Sequence, residues 1–142
     1  MKQPKLTAFS LYDAPWPERP ALTFIDFKLG SIRLAKHLSA HGVGSLSVNP
    51  RAYARQLLCK DKSEFLTGRV PLLLCHLCAG LDCGALTVCV ERVEGGFIWR
   101  DFGQETPLQE GFSQTEYMTR AGPFLFDEAE YIAAIYPLSR RR

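Results

Sequence analysis

Cys75 and Cys78 stand at the C-x2-C spacing that can set two thiolates on one zinc ion, and Cys83 follows closely. His76 sits between the pair, although residues adjacent in sequence rarely share one tetrahedral ion. A structural zinc takes four protein ligands, and no second C-x2-C or histidine pair supplies them. Cys89 or Cys59 would complete the set only if folding brought one of them close. The C-x-x-C form also belongs to thiol redox proteins, where a helix N-terminus lowers the first thiol's pKa. Here Ala79-Gly80-Leu81-Asp82 favours a turn before a strand, so that helix dipole is missing. Small, inert cysteines in a tight turn are the plainer reading. A zinc- or thiol-dependent protein centred on Cys75, Cys78 and Cys83 is the alternative.

Other catalytic signatures are absent from the chain. There is no G-x-S-x-G elbow, Walker loop, H-E-x-x-H or glycine-rich dinucleotide fingerprint. His37, His41 and His76 are not paired in sequence with an obvious nucleophile and acid. The sequence therefore predicts no enzyme and no committed cofactor.

Charge is distributed unevenly. Residues 101–130 hold seven acids (Asp101, Glu105, Glu110, Glu116, Asp127, Glu128 and Glu130) against Arg120 alone, a net charge of −6. Such a segment steers a basic partner towards itself, and Asp101, Glu105, Glu110 and Glu116 are the expected contact residues. The plain alternative is a solvated loop and helix face, in which the acids near the last helix complement its dipole. Arg51, Arg55 and Lys60 lack the aromatic and glycine pattern of a nucleic-acid surface and read as a solvated helix face. Nucleic-acid binding through Arg140, Arg141 and Arg142 of the basic tail at 138–142, with the early basic residues, ranks third among the readings.

These residues need a scaffold, and 142 residues are enough for one domain with a real core. No apolar run approaches the length of a membrane span, and Val70 to Leu74 is among the longest. The N-terminal residues lack a signal peptide's apolar segment, and five cysteines do not make a secreted disulfide framework. The expectation is a cytoplasmic protein.

Along the chain, Pro4, Pro15, Pro17 and Pro20 argue against a helix or central strand in residues 1–20, an arm on which Trp16 packs as an anchor. Alternation over Ala21–Leu29 and Ser31–Leu38, with Gly30-Ser31 between, predicts a β-hairpin with His37 on its outer face. Residues 39–48 read as a loop. Asn49 as N-cap and Pro50 at the first position open a short helix whose inner face is Tyr53, Leu57 and Leu58. Val70–Cys75 reads as a strand buried on both faces. Ala85–Val93 and Phe97–Phe102 form a hairpin about Gly95-Gly96, with Ile98 and Phe102 on one side and Phe97 and Trp99 on the other. Residues 103–121 read as a long surface loop. Asp127 and Glu130 then make a capping-box-like start to a final helix that Pro137 ends.

Together these elements predict a single α+β domain over 1–142, a mostly antiparallel sheet of about five strands with two or three helices packed on it. The segments Arg69-Val-Pro-Leu, Cys75-x-x-Cys78, Leu81-Asp-Cys-Gly-Ala-Leu-Thr87, Trp99-Arg-Asp-Phe102 and Gly122-Pro-Phe-x-Phe-Asp127, with Tyr131, carry a resemblance. They resemble a family of small, mostly uncharacterised bacterial cytoplasmic proteins with a C-x2-C-x4-C-G-A turn. The family more often has proline after the first cysteine and glycine after the second, where this chain has His76 and Ala79. In size and character the chain is similar to immunity proteins of contact-dependent growth inhibition systems. That likeness implies a non-enzymatic protein that binds and neutralises a cognate toxin domain, for instance a nuclease, with no direct contact to nucleic acid or membrane.

Overall fold

The computed structural model describes residues 4–16, 18–38, 42–77, 80, 83–108 and 112–141. The chain is α+β, with ten strands and four helices among these residues. In order they are β1 (Lys5–Leu6), β2 (Phe9–Trp16), β3 (Arg19–Leu29), β4 (Ile32–Arg33), α1 (Leu34–His37), β5 (Val43–Gly44), α2 (Ser45–Val48) and α3 (Pro50–Leu57). There follow β6 (Val70–Leu74), β7 (Ala85–Val93), β8 (Gly96–Pro107), β9 (Ser113–Tyr117), β10 (Phe124–Asp127) and α4 (Glu128–Ser139). The expected sheet of about five strands is replaced by two sheets. One has seven strands in the order β1-β10-β8-β7-β6-β5, with β9 also on β8; the other is β2-β3-β4. All pairs are antiparallel except β1 on β10, which makes the larger sheet mixed.

The prolines of the first twenty residues do not prevent strands; they decide where the strands lie. β2 is an edge strand, and Pro15 sits beside the register shift that precedes its last pair with β3, Trp16 with Arg19. Trp16 is half-buried against the core, as an anchor would be. The hairpin expected over 31–38 is cut short. Only Ile32 and Arg33 pair with β3, and the chain then turns into α1, because Leu34 and Leu38, four residues apart, both bury on one helical face. Within the expected loop at 39–48, β5 joins the large sheet and α2 follows it. Gly44 allows this approach, since a Cβ there would lie 1.7 Å from the carbonyl oxygen of Ile25.

Local signals hold at both longer helices. Asn49 accepts from the amide of Ala52 and Pro50 follows it, while Asp127 accepts from the amide of Glu130. Glu130 does not close a capping box; its carboxylate accepts from the backbone N–H of Phe9, tying α4 to the start of β2. Pro137 lies inside α4 and does not end it. The carbonyl that loses its donor belongs to Ala133, on the exposed face, where water can replace the bond.

The core is an aromatic stack between the two sheets and α4. Trp99 lies edge-on to Phe9, Phe27 and Phe126, with centroids 5.5, 5.4 and 5.2 Å away. Its indole N–H donates to the Tyr131 hydroxyl at 3.1 Å, and that hydroxyl donates to the carbonyl of Leu57 at 2.7 Å. One buried phenol thus connects the sheet, α3 and α4. No helix among the described residues is long and apolar enough to cross a membrane.

Candidate functional site: a groove beside the bulge of strand β8

β7 and β8 pair in register from Val93–Gly96 to Cys89–Arg100, then resume at Thr87–Gly103. Two residues, Asp101 and Phe102, therefore face Val88 alone, which is a β-bulge. Asp101 takes the left-handed backbone conformation at φ +56° that such a bulge demands. The extra residue resets the alternation, so Phe97, Trp99 and Phe102 all bury completely while Ile98 is half-exposed. This corrects the expected pairing of Ile98 with Phe102 on one face. The turn itself is centred one residue earlier than expected, on Glu94-Gly95, with Gly95 at φ +78°.

The stretch expected as a long surface loop is largely sheet. β8 runs on to Pro107, and β9 returns along it from Ser113–Pro107 to Tyr117–Gly103. Further along the same edge of β8 lies β10, and between them residues 118–123 leave the sheet and come back. That detour opens a groove of about 720 Å³ beside the bulge. Its apolar walls include Ile98, Phe102 and Met118, and its charged ones are Glu91, Arg100 and Asp101. Arg100 bridges the two acids, with Nη1 2.8 Å from Asp101 and Nε 3.8 Å from Glu91.

A buried charge cluster holds this wall in place. Arg69, just ahead of β6, is buried and donates to the Thr87 hydroxyl at 2.9 Å, to Cys89 Sγ at 3.2 Å and to the backbone carbonyl of Asp101. The guanidinium also lies 5.3 Å from the ring centroid of Tyr117, a groove residue. Glu105 is fully buried with its Oε1 3.5 Å from Arg69 Nε. It accepts from the hydroxyls of Thr67 at 2.6 Å, Ser113 at 2.8 Å and Thr115. Burial pushes this carboxyl up, but the three hydroxyls and Arg69 together outweigh it and hold the group below its ordinary value.

Of the expected contact residues, only Asp101 and Glu116 lie on the surface among the described positions. Glu105 is a correction: its carboxylate points into the cluster and cannot meet a partner. Glu110 lies outside the described residues. The charge of the acidic segment is also largely spent inside the chain. Asp101 pairs with Arg100 and Glu105 with Arg69; Glu128 pairs with Arg92 at 2.6 Å, while Asp127 and Glu130 accept from backbone amides. Apart from Asp101, neither the groove walls nor Arg69 are marked as a site by the sequence. The one available signal was the broken alternation between Trp99 and Phe102.

Cys75 and Cys83 both line a second, smaller pocket of about 160 Å³, with His76 on the same wall. Cys78 lies outside the described residues. Cys59 and Cys89 do not line this pocket; Cys89 faces Arg69 instead. Among the described residues no group of three or more His, Cys, Asp and Glu is placed to hold a metal ion. His37 Nε2 lies 2.9 Å from the carbonyl oxygen of Arg120, and His41 lies outside the described residues.

Another buried carboxylate stands apart from both pockets. Asp26 accepts at Oδ2 from the Tyr12 hydroxyl at 2.6 Å and from the amide of Ala35 at 3.2 Å, while Oδ1 has no hydrogen-bond partner. Burial pushes its pKa up, against these hydrogen bonds.

Comparison with known proteins gives no match: no family model matches the chain, and neither a curated protein nor a solved structure is significantly similar to it.

Proposed function

We propose that the chain works by binding another protein, as an immunity protein that neutralises a cognate bacterial toxin domain, and that the groove beside the β8 bulge is its contact surface. The observation that carries this reading is the fixed groove wall. The backbone of Asp101 is held by Arg69, so the bulge that shapes the groove wall is in place before a partner arrives. Preformed surfaces lose less entropy on binding. The groove walls carry two carboxylates against one guanidinium, and a basic side chain from a nuclease-type toxin would compete with Arg100 for them.

Affinity capture from the bacterium that makes the protein, with mass spectrometry of what is retained, tests this. Wild type should retain a stoichiometric partner carrying a toxin domain, and Ile98→Arg should lose it while melting normally. Equal capture by both would remove the groove from the interface, and capture of no toxin domain would end the immunity reading.

A thiol- or zinc-dependent role remains the second reading, because Cys75, His76 and Cys83 share one pocket. Metal analysis of the same eluate separates the two. About one zinc per chain, lost together with stability in Cys75→Ser, supports it; a metal-free protein whose Cys75→Ser variant melts normally rejects it.

A further inference from the structure

β9 is an open edge of the seven-stranded sheet. It pairs with β8 on one side, and no strand among the described residues pairs with its other side. Edge strands are ordinarily guarded by lysine, proline or a bulge. The sequence of β9, Ser-Gln-Thr-Glu-Tyr, carries none of these and only one charge, Glu116. Exposed aromatic side chains stand at its ends instead, Phe112 just before it at 63% and Tyr117, its last residue, at 64%.

The ladder shows which amides face outward. Leu108 N–H donates to the Phe112 carbonyl at 2.7 Å, and Met118 N–H donates to the Phe102 carbonyl at 2.8 Å. Antiparallel hydrogen bonding alternates along a strand, so residues 112, 114, 116 and 118 turn their amides towards β8. Ser113, Thr115 and Tyr117 turn theirs to the open edge.

We propose that this edge pairs with the same edge of a second copy of the chain, antiparallel about a two-fold axis at Thr115. Outward-facing residues then meet each other. Thr115 exchanges hydrogen bonds with its own copy, and Ser113 does so with Tyr117 of the second copy. The inward-bonded residues oppose one another as side-chain pairs. Gln114 stands across from Glu116 of the second copy, an amide against a carboxylate, so the lone charge of the strand never meets itself. Phe112 stands across from Met118, apolar against apolar. Chemistry is complementary at each position of a single register, as an isologous interface requires. This pairing goes beyond the partner-binding reading and does not rest on it.

Sedimentation velocity of the purified protein over a wide concentration range, combined with amide exchange, tests the pairing. Wild type should sediment as a dimer. Gln114 is exposed, so its variants leave the fold intact. Gln114→Glu sets carboxylates opposite one another twice per dimer and should weaken it about tenfold. Gln114→Lys should tighten it at low salt, with the gain fading as salt rises. In the dimer the amides of Ser113, Thr115 and Tyr117 should exchange slowly, and dilution should release those three first. A monomer at every concentration overturns the proposal. So does a dimer of equal affinity in both Gln114 variants, or one that leaves those three amides unprotected.

Discussion

Arg69 and Glu105 bury their opposite charges together, Nε to Oε1 at 3.5 Å, yet each makes its shorter contacts with neutral groups. The pair is the hub on which β9, the bulge of β8 and the chain ahead of β6 converge. Removing one partner leaves the other charge stranded, which costs about 3–5 kcal/mol in comparable buried pairs.

Glu105→Gln should therefore lower the melting temperature strongly at neutral pH. The sign with pH follows from the carboxyl being held below its ordinary value. Its stabilisation is complete above the unfolded pKa and is lost as pH falls through the folded one. Wild type and Glu105→Gln should converge in stability towards acid pH. Thermal melts between neutral and strongly acidic buffer check this, and a gap that stays constant refutes it.

Asp26 should show the opposite behaviour. Burial raises its pKa, so its ionised form opposes folding, and its favourable contribution is lost as pH rises through the folded value. Asp26→Asn should raise stability at neutral to basic pH, on the order of 1 kcal/mol, and gain nothing in acid. Equal destabilisation by Asp26→Asn at both ends of the pH range would show that ionisation of Asp26 does not oppose folding.

The bulge makes a separate demand at position 101. Asp101→Gly should stay close to wild-type stability, because glycine accepts the left-handed backbone and the exposed ion pair to Arg100 contributes little. Asp101→Val should cost about 1–2 kcal/mol, since a β-branched residue is strained there. Urea unfolding of the two variants measures the difference.

Tyr131→Phe removes one oxygen and leaves both the indole N–H of Trp99 and the carbonyl of Leu57 without that partner. A loss of about 1–3 kcal/mol is expected. A near-neutral result would mean that neither group depends on the hydroxyl.

The parts of this fold legible in the sequence are those written locally. Asn49-Pro50 and Asp127 announce their helices through capping chemistry, and Val70 to Leu74 announces a buried strand by being apolar throughout. The α+β class follows from them. β9 was invisible for a physical reason: its outward residues are exposed, and the hydroxyls it turns inward satisfy Glu105, so no apolar periodicity marks it. Glu105 read as a surface acid because its partner Arg69 is remote in the chain. The groove depends on a bulge and a detour, which binary patterning does not encode. Ser31 to Leu38 misled because Leu34 and Leu38 satisfy a two-residue and a four-residue repeat alike.

Residues from the two halves of the chain meet at one corner: β1 lies parallel to β10, Thr7 N–H bonds the carbonyl of Leu125, and Phe9 N–H bonds Glu130. On the ribosome, β1 and the aromatic side of β2 must wait, unpaired, until β10 and α4 have emerged. Synthesis of residues 124–139 is then also the closing step of the core, and nascent chains halted before residue 124 should be held by chaperones rather than fold in part.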